Sequence, residues 1–185
     1  MRGTALLAFA LLSLTALATA QIPTSGNLYF GYSFENADSS ALNLNLSRPN
    51  LQGWQATLEG KVLPGLGIIA DFTGNYGSQT QTVLPLEGSP TVKVTGHQYD
   101  VGFGPRFSVP IGKFRPFAET EFGVAHMSTN TFGGSTALAL VFGGGVDYRI
   151  MRVLSWRLEG DYVSTRFFSS SQNDFRLSTG IVFRF

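Results

Sequence analysis

The C-terminal stretch of the sequence alternates between two chemically different sets of side chains. From Phe175 to Phe185 every second residue is apolar, aromatic or threonine, and the residues between them are mostly polar, small or cationic. A period of two places the two sets on opposite faces of a β-strand. Such a strand must separate two unlike environments, and this requirement restricts the fold more than any other feature of the chain.

Seven earlier segments repeat this alternation, so the sequence predicts eight strands. They cover residues 28–34, 53–62, 66–76, 99–109, 116–126, 137–149 and 154–164, followed by 174–185. The predicted connections alternate between short turns at 63–65, 110–115 and 150–153 and longer polar segments at 35–51, 77–97, 127–136 and 165–173. Eight strands joined in this way predict an all-β fold, an eight-stranded antiparallel up-and-down barrel. Pro105 removes one ladder donor, so we expect a bulge or a locally broken hydrogen bond there.

The charges show which face of the barrel points inwards. None of the positions on the apolar face carries a charge, whereas the opposite face carries fourteen charged residues, expected to form an interior ionic network: Glu59, Lys61, Asp71, Asp100, Arg106, Glu119, Glu121, Asp147, Arg149, Arg157, Glu159, Asp161, Arg176 and Arg184. A soluble ligand carrier would keep its apolar face inside, but its two faces would not be sorted so strictly. A lipid-facing surface is sorted strictly, since Arg or Lys at the bilayer midplane costs about 2–4 kcal/mol. We therefore predict a transmembrane barrel with its ions inside.

Aromatic residues at the predicted strand ends agree with this orientation. Phe107, Tyr148, Trp156 and Phe185 fall near the short turns, and Trp54, Tyr76, Tyr99 and Tyr162 fall near the opposite rim. Aromatic girdles at two levels are typical of a protein that meets both interfaces of a bilayer.

The first twenty residues have the features of a cleaved signal peptide. Arg2 is followed by an apolar run and by the small-x-small sequence Ala18-Thr19-Ala20, and the run is too short for a spanning helix. We expect a signal peptide at 1–20, a short lead at 21–27 and one barrel domain at 28–185. The remaining 12 basic and 12 acidic residues balance, which argues against a nucleic-acid partner, and the absence of cysteine excludes a lipoprotein anchor and disulfides.

The chain resembles the small eight-stranded outer-membrane barrels of Gram-negative bacteria, the OmpA/OmpX-like family. The resemblance covers residues 28–185 and is carried by the terminal Phe185, the aromatics before it, "GGGVDYRI" and "RPFAETEFGVAH". It implies an outer-membrane location, contact with outer-membrane lipid and an assembly signal at Phe183 and Phe185 that the barrel-assembly machinery reads. The peptidoglycan-binding domain found in part of the family is not expected, because the sequence ends with the barrel.

Eight strands leave a lumen that side chains can fill, so a non-enzymatic structural or surface-interaction barrel is the first functional prediction. An unknown surface ligand would then bind the long connections. A low-conductance pore is the second prediction. The third is a lipid A-modifying hydrolase, since His126 and Ser128 lie two residues apart and resemble the His-x-Ser pair of outer-membrane deacylases. That pair lacks an evident carboxylate partner, Thr129 departs from the family pattern, and no cofactor or metal motif occurs, so neither a cofactor nor a metal is predicted.

Overall fold

The computed structural model describes residues 25–36, 50–82, 91–130, 133–167 and 170–185. These residues form eight strands: β1 (Gly26–Asn36), β2 (Asn50–Leu63), β3 (Leu66–Thr82), β4 (Thr91–Ser108), β5 (Phe114–Thr129), β6 (Gly133–Arg149), β7 (Leu154–Phe167) and β8 (Ser170–Arg184). The predicted signal peptide and residues 21–24 of the predicted lead lie outside the described residues. β1 begins at Gly26, two residues before the predicted Leu28.

The strands close into one antiparallel barrel in sequence order. Closure is made by β1 and β8, whose register runs from Asn27–Arg184 to Asn36–Phe175. Each remaining pair consists of consecutive strands, so the up-and-down topology predicted from the alternation is confirmed. Among the described residues, no helix has the length and apolarity needed to cross a bilayer.

One end of the barrel carries tight turns and the other carries long strands. At the short-turn end, the connections 64–65, 109–113 and 150–153 join β2 to β3, β4 to β5 and β6 to β7. Gly65 adopts φ 82° and Gly112 φ 64°, a region that residues with a Cβ rarely occupy. At the opposite end, much of the sequence predicted as loop is strand, since β3 and β4 pair as far as Thr82–Thr91 and β5 and β6 as far as Thr129–Gly133.

Pro105 interrupts one ladder without shifting its register. β3 pairs continuously with β4 through Ile68–Pro105, whereas the β4–β5 ladder passes from Phe103–Phe122 to Arg106–Glu119 and skips Gly104 and Pro105. The missing amide hydrogen of proline explains the gap. The break predicted at this position is therefore present, and no bulge accompanies it.

The two faces of the wall are as unlike as their sequences. Phe103 and Phe122 expose 60% and 68% of their surface on the outside, whereas Arg157 exposes 0% inside. The aromatic residues Trp54, Tyr76, Tyr99 and Tyr162 are exposed near the long-strand end, and Phe107, Trp156 and Phe185 near the short-turn end. All ten acidic residues that the structure describes are buried. The outside is thus an apolar belt between two aromatic levels.

Candidate functional site

The half of the lumen nearer the short turns holds a dense network of ions, which we call the lower ionic cluster. It consists of Glu59, Arg106, Arg115, Glu119, Asp147, Arg157 and Glu159, all buried. Arg157 donates two hydrogen bonds to Asp147, from Nε to Oδ1 at 2.7 Å and from Nη2 to Oδ2 at 3.2 Å. Such paired bonds fix the orientation of a guanidinium as well as its charge.

Neighbouring arginines share their carboxylates within this cluster. Arg106 pairs with Glu119 through Nε, with Glu159 Oε2 at 3.3 Å and with Glu59 Oε2 at 3.5 Å. Arg115 Nη2 lies 3.0 Å from both oxygens of Glu59. The Phe117 ring lies 4.5 Å from the guanidinium carbons of both Arg106 and Arg157, so each cation also rests on an aromatic face.

The half nearer the long-strand end forms the upper ionic cluster, which depends on one arginine. It consists of Asp71, Asp100, Glu121, Asp161 and Arg176, all buried. Arg176 Nε donates to Asp161 Oδ2 at 2.9 Å and Nη1 to Thr73 Oγ1 at 3.0 Å, while Asp71 and Asp100 lie 3.8 Å from its terminal nitrogens. Glu121 Oε1 is buried without a hydrogen bond, and Glu121 is in none of the described ion pairs, although Arg176 attracts it electrostatically.

Polar side chains cross the lumen between distant strands. Gln55 on β2 donates from Nε2 to Glu159 Oε1 on β7 at 2.8 Å and to Asp71 Oδ1 at 3.0 Å, which joins the two clusters. Arg115 on β5 reaches Glu59 on β2, and Arg106 on β4 reaches Glu159 on β7. These bridges fill the centre of the barrel with bonded side chains.

Glycines on the inner face provide room for these side chains. A Cβ at Gly102 would overlap Glu121 Oε2, and a Cβ at Gly143 would overlap Asp161 Oδ1. Small residues therefore alternate around the inner wall with long ionic ones, because a narrow lumen cannot hold a large side chain from every strand.

Eleven of the fourteen residues predicted for the interior network lie inside the barrel, and three do not join it. Lys61 and Arg149 are exposed and Arg184 is half-buried. All three lie near strand ends at the short-turn end of the barrel. Arg149 Nη2 donates to the carbonyl of Gly112 in a turn at 3.1 Å. Their assignment to the network is corrected for this reason.

Three buried ionic residues were not predicted from the sequence. Glu35 accepts bonds from Asn75 Nδ2 at 2.7 Å and from Gln98 Nε2 at 3.2 Å, Asp174 is buried, and Arg115 pairs with Glu59. All three have inward parity. Glu35 and Arg115 lie just outside the predicted strands, and Asp174 is the first residue of the predicted strand 174–185. With them, ten acidic and four arginine side chains are buried among the described residues, an acidic excess of six.

One group of carboxylates has the spacing of a metal site. Glu119, Glu159 and Asp161 each offer an oxygen within 4.8 Å of the others. Arg106 already binds both Glu119 and Glu159, and Arg176 binds Asp161. The guanidiniums therefore supply the positive charge that a metal ion would bring to these oxygens.

The predicted His126–Ser128 pair lies on the outer face near the long-strand rim. His126 Nδ1 is 2.7 Å from Thr136 Oγ1 on β6, and the register partner of Ser128 is His97 on β4. His97, which was expected in a loop, therefore belongs to a strand. Every acidic side chain in the described ranges is inside the barrel, so no described carboxylate orients the imidazole. Within the described part of the chain, His126 and Ser128 therefore do not form a hydrolytic triad.

The family comparison and the structural comparisons both find outer-membrane β-barrel proteins. The family model for the outer membrane protein β-barrel domain matches residues 4–185. Neisserial surface protein A superposes with a TM-score of 0.67 at 13% identity, covering 86% of this chain and 97% of that one. Ail, the attachment invasion locus protein of Yersinia pestis, gives 0.57 at 15% identity over 86% and 98%.

The N-terminal β-barrel domain of Pseudomonas aeruginosa OprF is a third similar structure, with a TM-score of 0.52 at 11% identity over 86% of this chain and 99% of that one. A search of curated proteins returns no match. Identities this low show a shared fold, whereas the family match spans nearly the whole chain. The closed eight-stranded barrel agrees with this match, and the chain belongs to the outer membrane protein β-barrel family.

Proposed function

We propose that the protein is a non-enzymatic outer-membrane barrel that acts through its long-strand end, in a structural or surface-interaction role. One contrast supports this role: polar side chains bridge the lumen, whereas β3 and β4 continue past the aromatic level as a two-stranded ribbon. The lumen is crossed by ion pairs between strands that are not neighbours, such as Arg106–Glu159 and Arg115–Glu59. A barrel that is filled in this way offers its outer end, and not its centre, to other molecules.

The ribbon formed by β3 and β4 supports an interaction role. Six register pairs, from Gly77–Gly96 to Thr82–Thr91, continue past Tyr76–His97 at the aromatic level. At about 3.3 Å per residue, they extend the ribbon about 20 Å along the strands. Two structural neighbours carry names that describe a surface protein and an attachment protein, and this proposal extends that kind of role to the present chain.

The route to the membrane is part of the proposal. Residues 1–20 direct export and are removed after Ala20, and the short-turn end with both termini faces the periplasm. Phe183 and Phe185, both exposed on the outside of β8, are the contacts for the barrel-assembly machinery. Replacing both by alanine should reduce the amount of folded barrel in outer membranes, as measured by heat-modifiable migration.

A shortened ribbon tests the interaction role. Ser78 and Thr95 are register partners, so replacing residues 79–94 with Asn-Gly allows a two-residue turn to close the hairpin between them. Bacteria that produce the intact protein should adhere to a layer of cultured cells, and bacteria with the shortened ribbon should lose this adhesion. The matched control replaces residues 129–133 with Asn-Gly between the partners Ser128 and Gly134.

Both variants must show heat-modifiable migration, so that a loss of adhesion is not a loss of folding. No adhesion by the intact protein, or equal adhesion by the intact and shortened proteins, would remove the surface role that we assign to the ribbon.

Equal lipid A mass spectra with and without the gene are expected, because the outer-face histidines have no carboxylate partner among the described residues.

Planar-bilayer recording tests the filled lumen separately. Discrete conductance steps from the intact protein that disappear in Arg157→Gln would support the pore function over the filled barrel. We expect the intact barrel to be silent, because Arg157 is bonded to both Asp147 and Glu159. These bonds lie within the lumen and do not include Lys61, Arg149 or Arg184 at its short-turn end.

A further inference from the structure

Four cations gather at the short-turn mouth of the lumen. Lys61 on β2, Arg115 on β5, Arg149 on β6 and Arg184 on β8 share the inward parity of the interior residues next to them. Lys61 is repelled by Arg115 and Arg184 and attracted by Glu59, and Arg184 is repelled by Arg115 and Arg149 and attracted by Asp147. We call these four residues the basic mouth.

The carboxylates near the basic mouth are already engaged. Glu59 accepts from Asn27 Nδ2 at 2.6 Å and pairs with Arg106 and Arg115. Asp147 is held by both Nε and Nη2 of Arg157, and Arg115 Nε lies 3.8 Å from its Oδ2. The backbone N–H of Gly26 donates to the terminal oxygen of Phe185 at 2.9 Å. None of these groups bonds Arg184.

Several donors at the mouth have no acceptor. Nε and Nη2 of Arg184 are buried without a hydrogen bond within the described chain, and so are Nε of Arg115 and the hydroxyl of Ser155. A buried donor left without a partner is destabilising, and the penalty is larger for a charged group. Unused guanidinium and hydroxyl donors in a positive field are the features of an oxyanion site.

We propose that the basic mouth binds a phosphate group, with Arg184 as its central donor and Arg115, Ser155 and Lys61 around it. The guanidinium plane of arginine matches two phosphate oxygens, and lysine adds a further positive charge. Apolar residues surround this end of the barrel, with Leu63 and Met151 exposed by 60% and 62%. This rim suits the headgroup level of a membrane, so the phosphate comes either from a lipid headgroup or from solution.

Titration with inorganic phosphate tests the soluble source. The full chain, purified from membranes into a zwitterionic detergent and labelled with 15N, allows the Arg184 Nε–H signal to be followed by NMR. We expect this signal to move saturably with added phosphate. Arg184→Gln should weaken binding, measured as phosphate protection against thermal unfolding, by about tenfold or more, a change of at least about 1.4 kcal/mol.

Arg152→Gln is the matched control, since Arg152 is an exposed cation in the turn between β6 and β7 at the same end of the barrel. This variant should bind phosphate as the original chain does. Ser155→Ala should weaken binding less than Arg184→Gln, and it keeps the test informative if Arg184→Gln fails to fold. Equal losses in Arg152→Gln and Arg184→Gln would overturn the proposal, because general surface charge would then explain the binding.

Nanodiscs distinguish the two sources of phosphate. In discs of phosphatidylglycerol, native mass spectrometry should detect lipid retained by the original chain and by Arg152→Gln but not by Arg184→Gln, if the headgroup is the ligand. Added inorganic phosphate should then no longer move the Arg184 signal. A phosphate response that persists in these discs assigns the site to a soluble phosphate. The absence of a saturable response to both probes would refute the site.

Discussion

The lower and upper ionic clusters achieve charge compensation in different ways. In the lower cluster three arginines share four carboxylates, and most of these carboxylates touch more than one arginine. In the upper cluster Arg176 alone faces Asp71, Asp100 and Asp161, and Glu121 has no described ion pair. Redundant pairing tolerates the loss of one cation, whereas a single shared cation does not.

Removal of Arg176 should have the largest effect on stability. Arg176→Met leaves three aspartates without their cation in a buried site, and breaking a buried ion pair from one side costs about 3–5 kcal/mol. The free energy of unfolding in lipid vesicles, followed by the fluorescence of Trp54 and Trp156, should fall by this amount. The m-value should stay constant if both states keep their compactness.

A double variant checks the cause of that loss. Asp161 Oδ2 accepts the closest bond of Arg176, so Arg176→Met combined with Asp161→Asn should recover part of the lost stability. Additive effects of the two substitutions would contradict the electrostatic explanation, because residues in one network couple.

Arg106→Met in the lower cluster should destabilise less. Glu59 keeps Arg115 and Glu159 keeps Arg157, so Glu119 is the one carboxylate left without its guanidinium. We expect a loss of about 3 kcal/mol, the lower end of the range for breaking a buried ion pair, because one carboxylate and not three loses its guanidinium. The same denaturant titration measures it, and a loss equal to that of Arg176→Met would remove the distinction between the clusters.

Glu121→Gln and Glu119→Gln should change stability in opposite directions. Glu121 is repelled by Asp71 and by Glu119, each more strongly than Arg176 attracts it, so removing its charge should raise the free energy of unfolding by roughly 1 kcal/mol. Glu119 binds Arg106, so Glu119→Gln should lower the free energy of unfolding. The two residues lie two positions apart on β5, so they share strand and face. A loss of stability in both variants would mean that the charge of Glu121 is stabilised inside the barrel, as that of Glu119 is.

The sequence predicted the barrel and most of its interior because alternation is a local property of each strand. A residue such as Phe122 or Arg157 shows its face through its immediate neighbours. Partner choice could not be predicted, since Gln55 meets Glu159 across 104 positions of sequence and Arg176 meets Thr73 across 103. These pairings depend on how the closed barrel brings distant strands to one level.

Strand length was also underestimated. The segment 77–97 is polar and was read as a loop, yet its first and last residues continue the ladder between β3 and β4. Hydrogen bonds between two backbones impose no apolar face once a ribbon leaves the barrel, so composition carries no strand signal there. Alternation alone also predicted that Lys61 and Arg149 lie inside the barrel. Both lie near strand ends at the open end of the lumen, and both are exposed.

Lys61→Gln should therefore have the smallest effect of these substitutions. Lys61 is exposed and lies at the irregularity between β2 and β3, where the register shifts between Lys61 and Leu63. A surface substitution of this kind changes the free energy of unfolding by about 0.5 kcal/mol or less. The contrasting variant is Arg115→Gln, which frees buried Glu59 from one guanidinium at the same end of the lumen. Equal losses of stability in phosphate-free buffer would mean that Lys61 belongs to the interior network, as its parity predicted. Lys61 would then have to be counted with the lower ionic cluster.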